Sequence, residues 1–148
     1  MKMIKKTLLI ILLIVILLAI WIPFQNNRIA FKVEKELKNK ELTNNTKIID
    51  SISISGKLSG NGNGMQYFGA ILIETELSET EIDEYYKKYR NNQWSFLVSK
   101  QKSSQIDVID IGKYEFKKFN NENKEKSYII YSWGSSNNFL LDFDLRGH

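Results

Sequence analysis

The stretch that decides the fold is LSGNGNGMQYFGAILIETELS, residues 58–78, in which a loop rich in glycine and asparagine leads into an apolar run. Residues 65–77 have the composition of a strand, and the middle of that strand is apolar on both faces. Such a strand is typical of the centre of a sheet that is covered on both sides. We therefore predict a central strand here. One face carries Met65, Tyr67, Ile71, Ile73 and Leu77, and the other carries Phe68, Ala70 and Leu72.

The segment before the loop, residues 47–58, alternates apolar and polar residues, which predicts a half-buried strand. The loop at residues 60–64 therefore joins one strand to another. Phosphate-binding loops instead lead into a helix, whose N-terminus supplies N–H groups. The loop also lacks the G-x-G-x-x-G spacing, and no Lys-Ser or Lys-Thr pair follows it. We predict a hairpin connection, because glycine and asparagine accept positive φ. The alternative is a flexible, exposed loop that contacts a partner.

A helix is predicted at residues 77–91, downstream of the central strand. Ser78 and Glu81 have the spacing of a capping box. Acidic residues crowd its first turns and basic residues its last, as the helix dipole favours. The acidic cluster lacks the alternating oxygen ligands and the glycine of a calcium loop, so we predict no metal site there. The core-facing stripe consists of Ile82, Tyr85, Tyr86 and Tyr89.

The rest of the chain reads as further strands. They are expected at residues 94–101, 104–119, 127–133 and 138–145, with the last two forming a hairpin and residues 120–126 a polar turn. The predicted fold class is α+β, with an N-terminal transmembrane helix followed by a mainly antiparallel sheet of about six strands and two helices.

The N-terminal segment has no charged residue from Thr7 to Phe24. Eighteen helical residues rise about 27 Å, close to the roughly 30 Å hydrocarbon core of a bilayer. Trp21 suits the headgroup region, and Pro23 can end the helix there, so we predict the anchor and the following stem as separate segments. We predict a transmembrane signal-anchor within residues 1–24.

The charges beside this segment predict its orientation. Three lysines precede the apolar run and favour a cytoplasmic N-terminus, although basic residues after the run weaken the signal. The competing interpretation is a cleaved signal peptide of a secreted protein, which has a shorter apolar region and a small-x-small cleavage site. Only Ala19 is small near the exit, so an uncleaved anchor is favoured. The lysines are Lys2, Lys5 and Lys6.

The next segment, residues 25–46, is predicted to be an amphipathic stem helix that the TNNT sequence at residues 43–46 breaks. Its apolar stripe recurs every four positions, and favourable i,i+4 charge pairs support it. The stripe is too short for a coiled coil, so we expect it to pack on the domain's own sheet and not on a second stalk. The stripe consists of Ile29, Val33 and Leu37.

Composition excludes several kinds of chemistry. The chain has no cysteine, so disulfides, thiolate metal sites and cysteine nucleophiles are impossible. Its one histidine, His148, is the last residue, which argues against Ser-His-Asp and Cys-His catalysis. Three of the four surplus positive charges come from the N-terminal lysines, so the domain is near neutral and is not predicted to bind nucleic acid.

Paired carboxylates are the remaining catalytic candidates. Same-strand acids are more often the solvent face of a strand than the two acids of a glycosidase cleft. We therefore predict no catalytic, cofactor-binding or metal-ligating residue, and keep a carboxylate hydrolase as the alternative. The pairs are Glu74 with Glu76, Asp107 with Asp110, and Asp142 with Asp144.

Four residues are candidates for contact with a partner. Asn61 and Asn63 lie in the glycine loop, where exposed backbone could touch another molecule. Trp94 and Trp133 flank predicted strands; each fits a core or rim position, and an exposed tryptophan would be the best contact candidate because aromatic residues dominate binding hot spots.

The function predicted from these features is a single-pass, membrane-anchored binding or regulatory module, with an α+β domain at residues 47–148 outside the cytoplasm. Its partners would be membrane lipid, through the N-terminal helix, and an envelope protein. No cofactor is predicted. The abundance of Ile, Asn and Lys is typical of AT-rich bacterial genomes.

Overall fold

The computed structural model describes residues 2–60, 64–110, 114–144 and 146. Their order is helix, two strands, helix, strand, strand, with a 3₁₀ helix before and after the last strand. The elements are α1 (Lys2–Lys38), β1 (Lys47–Gly56), β2 (Gln66–Glu74), α2 (Glu79–Lys87), β3 (Leu97–Lys100), the first 3₁₀ helix (Asn121–Lys126), β4 (Ser127–Gly134) and the C-terminal 3₁₀ helix (Phe139–Phe143).

The sheet has the order β1-β2-β4-β3, and all its neighbours are antiparallel. The predicted α+β class and the central position of β2 are confirmed: every residue from Tyr67 to Ile73 is buried. The predicted number of strands is wrong, because the described residues form four strands and not about six.

The described part of the segment predicted as a strand, residues 104–110 and 114–119, covers one face of the sheet instead of extending it. We call it the cover segment. In the described part of this segment, the only strand-like pairing is an isolated bridge between Gln105 and Glu115. Its buried apolar residues are spaced irregularly, and its backbone turns so that the Asp110 N–H donates to the Leu58 carbonyl. The apolar residues alone did not distinguish an irregular segment that covers the sheet from a strand that extends it. It buries Ile106, Ile109 and Phe116 against Phe68, Ala70 and Leu72.

The segment predicted as the last strand, residues 138–145, contains the C-terminal 3₁₀ helix (Phe139–Phe143) in its described part. Asn138 caps it, because its side-chain oxygen accepts a hydrogen bond from the Leu140 N–H. The carbonyl of Asn138 accepts from the Leu141 N–H, which closes the turn. Local bonds therefore satisfy backbone groups that a hairpin would have paired with β4.

The other face of the sheet is covered by α1 and α2. Ala30 and Val33 pack on Tyr67, and Leu37 packs in a second cluster with Ile71. The stem stripe therefore packs on the sheet, as predicted. Its residues Val33 and Leu37 are almost fully buried.

The helix does not end at Pro23, contrary to the prediction. α1 continues through Pro23 to Lys38, so the predicted anchor and the predicted stem are one element. Proline removes a single backbone hydrogen bond, whereas the turns that follow are fixed by packing on the sheet. The helix also ends before the TNNT sequence at residues 43–46 that was expected to break it.

The glycine-rich loop joins two antiparallel strands, as expected for a hairpin connection. The Gln66 side-chain oxygen closes its base by accepting from the N–H groups of Leu58 and Ser59, at 2.7 and 2.8 Å. Gly60 has a φ of +63°, which glycine adopts without strain. Asn61 and Asn63 lie outside the described residues.

The predicted start of α2 is confirmed. Ser78 and Glu81 form a complete capping box. Of the tyrosine stripe, Tyr86 is fully buried and stacks on Phe96, with ring centroids 6.2 Å apart, whereas Tyr85 and Tyr89 are half-buried.

Candidate functional site

The sheet has two distinct ends relative to α1. The hydroxyl of Tyr67, at the start of β2, reaches Asn26 on α1, whereas Ile73, near the end of β2, shares a cluster with Leu37. Strand β2 therefore runs in the same direction as α1. We call the end with Tyr67 the proximal end, since it is nearer the apolar half of α1, and the end with Glu74 the distal end.

A buried polar network ties α1 to the sheet and to the C-terminal segment at the proximal end. Asn26 is completely buried. Its side-chain amide donates to Asp144 Oδ2 at 2.8 Å and to the Leu141 carbonyl at 3.0 Å, and its oxygen accepts from the Tyr67 hydroxyl at 2.8 Å. The junction network, Asn26 with Tyr67, Asp144 and Arg146, leaves no hydrogen-bonding group of the Asn26 side chain unused.

Arg146 completes the junction network from the solvent side. Its guanidinium donates to Asp144 through two nitrogens, at 3.0 and 2.8 Å, and to the Pro23 carbonyl and Asn27 Oδ1, both at 3.2 Å. Burial opposes ionisation of Asp144, but its bonds to Arg146 and Asn26 outweigh burial and lower its pKa to about 2. Asp144 is therefore a structural carboxylate that stays ionised near neutral pH.

A cleft of about 470 Å³ opens at the proximal end beside Trp133. Trp133 is half-buried and packs edge-on against Phe68, with centroids 5.0 Å apart, so only part of its ring lines the cleft. Ser59 and Met65, from the two sides of the glycine loop, also line it. The cleft is also lined by Gln66, Gly134, Ser135 and Ser136.

Trp94 lines a smaller cleft, of about 190 Å³, on the other side of Gly134 and Ser135. Trp94 too is half-buried. Val33 and Ile29 of α1 also line this cleft, and Trp94 packs against the cluster that contains Val33. The structure thus places two candidate contact residues, Trp94 and Trp133, on opposite faces of the sheet at the proximal end, beside Gly134 and Ser135. We call this surface the tryptophan rim.

The carboxylate pairs do not form a common site. Glu74 and Glu76 line a polar cleft of about 480 Å³ at the distal end, but each is held by a lysine. Lys47 lies 2.7 Å from Glu74, and Lys126 lies 2.5 Å from Glu76. The hydrogen bond from Lys47 lowers the pKa of Glu74, and a hydrogen bond from Asn123 lowers it further.

The other two pairs are equally separate. Asp107 and Asp110 are both exposed, on the cover segment. Asp142 accepts a hydrogen bond from the Met65 N–H at 2.8 Å, and Asp144 belongs to the junction network. Within the described residues, no group of three or more His, Asp or Glu side chains is placed to hold a metal ion.

Sequence reasoning missed the junction network and the exposed face of the C-terminal 3₁₀ helix. One signal was present: Asn26 lies two residues after the apolar run ends at Phe24, and a polar residue on the buried stripe needs a partner. Nothing local indicated that this partner lay more than a hundred residues away.

The apolar half of α1 is the most distinctive surface of the chain. Its length and composition make it a candidate membrane span, and only 6% of its most apolar 18-residue window is buried by the rest of the chain. An N-terminal signal sequence has the same properties. Comparison with protein-family models, curated proteins and solved structures finds no match to this chain.

Proposed function

We propose that the protein is a single-pass membrane protein, with a cytoplasmic N-terminus and an extracytoplasmic α+β domain that binds a partner of the cell envelope. The observation that carries this proposal is the division of α1 into two halves. Large apolar side chains from Met3 to Trp21 are exposed, whereas Ile22, Asn26 and later residues of the stripe are buried in the domain. Water disfavours the first half, and a bilayer would accommodate it.

The contact surface we assign to this function is the tryptophan rim. Val33, which lies against Gly134, follows Phe24 by nine residues, or about 13 Å of helix. The rim would therefore stand close above the lipid. A partner that itself lies on or in the membrane would meet the rim at this height, which favours an envelope protein over a freely diffusing one.

Two observations favour binding over the carboxylate hydrolase. A hydrolase needs one acid that keeps its proton near neutral pH, whereas Glu74 has a lowered pKa and Glu76 is paired with Lys126. The distal cleft is also internally neutralised, because each of its two acids faces a lysine.

The absence of cysteine gives a direct test of topology. M3C and S135C each introduce a unique thiol at an exposed position. In intact cells, a membrane-impermeant maleimide should label S135C, and should label M3C only after permeabilisation. Intact mass of the protein in the membrane fraction should include the apolar leader. Labelling of M3C in intact cells, or a mass that begins beyond Phe24, would contradict the proposal.

The binding surface is tested by placing a photoreactive amino acid at Ser136 or Gln93, on the two clefts of the rim. Glu84, an exposed residue of α2, is the control position. We expect the same membrane-associated protein to be cross-linked from both rim positions and not from Glu84. If Glu84 gives the same adducts, or the rim positions give none, the rim is not the binding surface.

A further inference from the structure

We infer that the C-terminal 3₁₀ helix is a second membrane-contacting element, which inserts Phe139, Leu140 and Phe143 among the lipid acyl chains beside α1. This inference rests on the proposed membrane attachment of α1 and adds a second contact with the same leaflet. The ligand is the acyl-chain region of the bilayer itself, which the span and this helix would enter together.

The first observation is exposure. Phe139 and Phe143 are 69% and 64% exposed, as much as side chains in the apolar half of α1. Outside α1, the described residues contain two other exposed large apolar side chains: Leu140, at 36% on the same 3₁₀ helix, and Leu97, at 38%. The exposed apolar surface of the domain is thus concentrated on one short helix, and water would not favour two open phenylalanine rings there.

The second observation is depth along α1. The C-terminal 3₁₀ helix packs on α1, and a cleft of about 350 Å³ lies between them. This cleft extends from the level of Pro23 to that of Val15, eight residues or about 12 Å of helix. Leu140 and Phe143 line it on the domain side. These side chains therefore lie beside the predicted span, below the level at which the polar residues of α1 begin.

The third observation is continuity of the two apolar surfaces. The α1 side of the cleft consists of apolar side chains that the span would present to lipid. The cleft is open, and Arg146 is the one polar residue among the described residues that line it. Acyl chains that cover α1 would therefore also cover the cleft. The α1 residues that line it are Val15, Leu18, Ala19, Ile22 and Pro23.

The fourth observation is the order of polar and apolar groups. Arg146 lies at the level of Pro23, because its half-exposed side chain bonds to the Pro23 carbonyl as well as to Asp144. Trp21, 40% exposed, lies two residues, or about 3 Å, before Pro23 on α1. Arginine and tryptophan favour the headgroup region. Apolar rings below them then occupy the upper acyl chains, as in interfacial helices that enter about 5–10 Å.

The backbone of the segment is compatible with this position. A polar backbone group without a partner is costly in lipid. Here the Leu140 N–H donates to the Asn138 side chain, the Leu141 N–H donates to the Asn138 carbonyl, and the Leu141 carbonyl accepts from Asn26. The junction network thus holds the segment against α1 and satisfies part of its backbone.

The test uses nitroxide labels on the full chain in vesicles of phosphatidylethanolamine and phosphatidylglycerol. Single cysteines are introduced by F139C, F143C, I14C and L97C, the last two serving as controls for lipid and for water. Accessibility to oxygen is compared with accessibility to a water-soluble nickel complex present on both sides of the vesicle. We expect the oxygen-to-nickel ratio at positions 139 and 143 to exceed that at position 97 several-fold and to approach that at position 14.

The outcomes separate this inference from the proposed function. If position 14 reports lipid while positions 139 and 143 match position 97, the anchor stands and the inference is wrong. If position 14 also reports water, the proposed function fails and the inference fails with it. Strong spin–spin broadening at position 143 that disappears on dilution with unlabelled protein would show that a second copy covers the helix, and would also overturn the inference.

Discussion

Asn26 is the residue through which the helix, the sheet and the C-terminal segment are joined. It bonds to Tyr67 of β2 and to Leu141 and Asp144 near the end of the chain. All its side-chain bonds are buried, where a lost partner is not replaced by water. Removing the Asn26 side chain therefore lowers the free energy of unfolding by the cost of the buried polar groups that it leaves unpaired.

We expect N26A to lower the free energy of unfolding by about 3 kcal/mol, because a buried hydroxyl and part of a buried carboxylate lose their partner. N27A is the matched control, since Asn27 is exposed and its bonds to Ser55 and Arg146 are open to water. It should cost less than about 1 kcal/mol. Tryptophan fluorescence during unfolding in detergent would measure both, and equal losses would contradict a special role for Asn26.

Asp144 predicts a loss of stability in acid. Its pKa is about 2 in the folded protein against 3.8 ordinarily. The ionised carboxylate therefore stabilises the fold above about pH 4, and this contribution falls as pH drops through the folded pKa. We expect a loss of roughly 2 kcal/mol between about pH 4 and pH 2. In D144N, whose overall stability should be lower, this part of the pH dependence should be absent; an unchanged pH profile would argue against the assignment.

Tyr86 predicts a substitution that stabilises. Its ring is fully buried, and its hydroxyl has no hydrogen-bond partner among the described residues. Burial, with the neighbouring Tyr85 and Tyr89, raises its pKa well above the ordinary value. Y86F removes the unpaired group and keeps the ring, so we expect about 1 kcal/mol more stability. Y85F is the control, because the Tyr85 hydroxyl donates to the Leu42 carbonyl; a gain for Y85F and a loss for Y86F would refute the explanation.

At the scale of elements, the contact between α1 and β2 depends on Gly69. A Cβ atom at this position would lie 2.4 Å from the Glu34 nitrogen and 2.7 Å from the Val33 carbonyl carbon. Both are backbone atoms of a helix and cannot rotate away. The absence of a side chain at Gly69 thus allows α1 to lie directly on the sheet.

We expect G69A to destabilise the fold by at least about 3 kcal/mol. The added methyl group forces α1 away from β2, which loosens the packing of Val33 on Tyr67 and the hydrogen bond between Tyr67 and Asn26. G64A is the matched control: its Cβ would lie 3.4 Å from an Asp142 side-chain oxygen, in ordinary contact. Thermal unfolding of both variants would be compared. A G69A protein as stable as G64A would show that the helix is not held at this distance.

Elements were predictable from sequence where neighbouring residues determine them. The apolar run of β2, the capping box of α2 and the alternation of β1 are local patterns, and the structure confirms all three. The cover segment was not predictable, since its apolar residues fit either a strand or an irregular layer. The segment forms an irregular layer because its apolar residues fill the space over Phe68 on one face of the sheet. That space is formed by parts of the chain that are distant in sequence.

The candidate site was predictable only in part. Trp94 and Trp133 were selected as aromatic residues beside strands, but their positions on opposite faces of the sheet at the proximal end depend on the pairing of β4 with β2 and on α1 packing beneath Trp94. The junction network joins residues separated by 118 positions and could not be inferred from spacing.

At the scale of the whole molecule, the domain contacts α1 from Ile22 to Leu37, because buried residues recur along that length. We therefore expect this part of α1 to move as one rigid body. An alanine inserted between Arg28 and Ile29 would rotate the preceding half by about 100° and shift it by about 1.5 Å. Asn26 and Val33 could then not both keep their contacts. We expect this insertion to abolish cooperative folding or to lower the melting temperature strongly.

An alanine inserted between Leu13 and Ile14, before every α1 residue that contacts the domain, is the control and should leave the melting temperature unchanged. If the protein tolerates both insertions equally, the helix has a hinge near Pro23 and the two halves move separately. Circular dichroism during heating of the detergent-solubilised variants would distinguish these results.

The unbroken passage of α1 into the domain has a consequence for how the protein would meet other molecules. In the proposed arrangement, the domain stays at a constant height above the lipid. A domain joined by a flexible linker could instead tilt and rotate over a wide range of orientations. The encounters of the anchored domain then come from lateral diffusion in two dimensions. A membrane protein whose binding domain stands far from the bilayer would rarely contact this domain, whereas one whose domain lies at a similar height would collide with it often. Height above the membrane would therefore select partners before any specific contact forms.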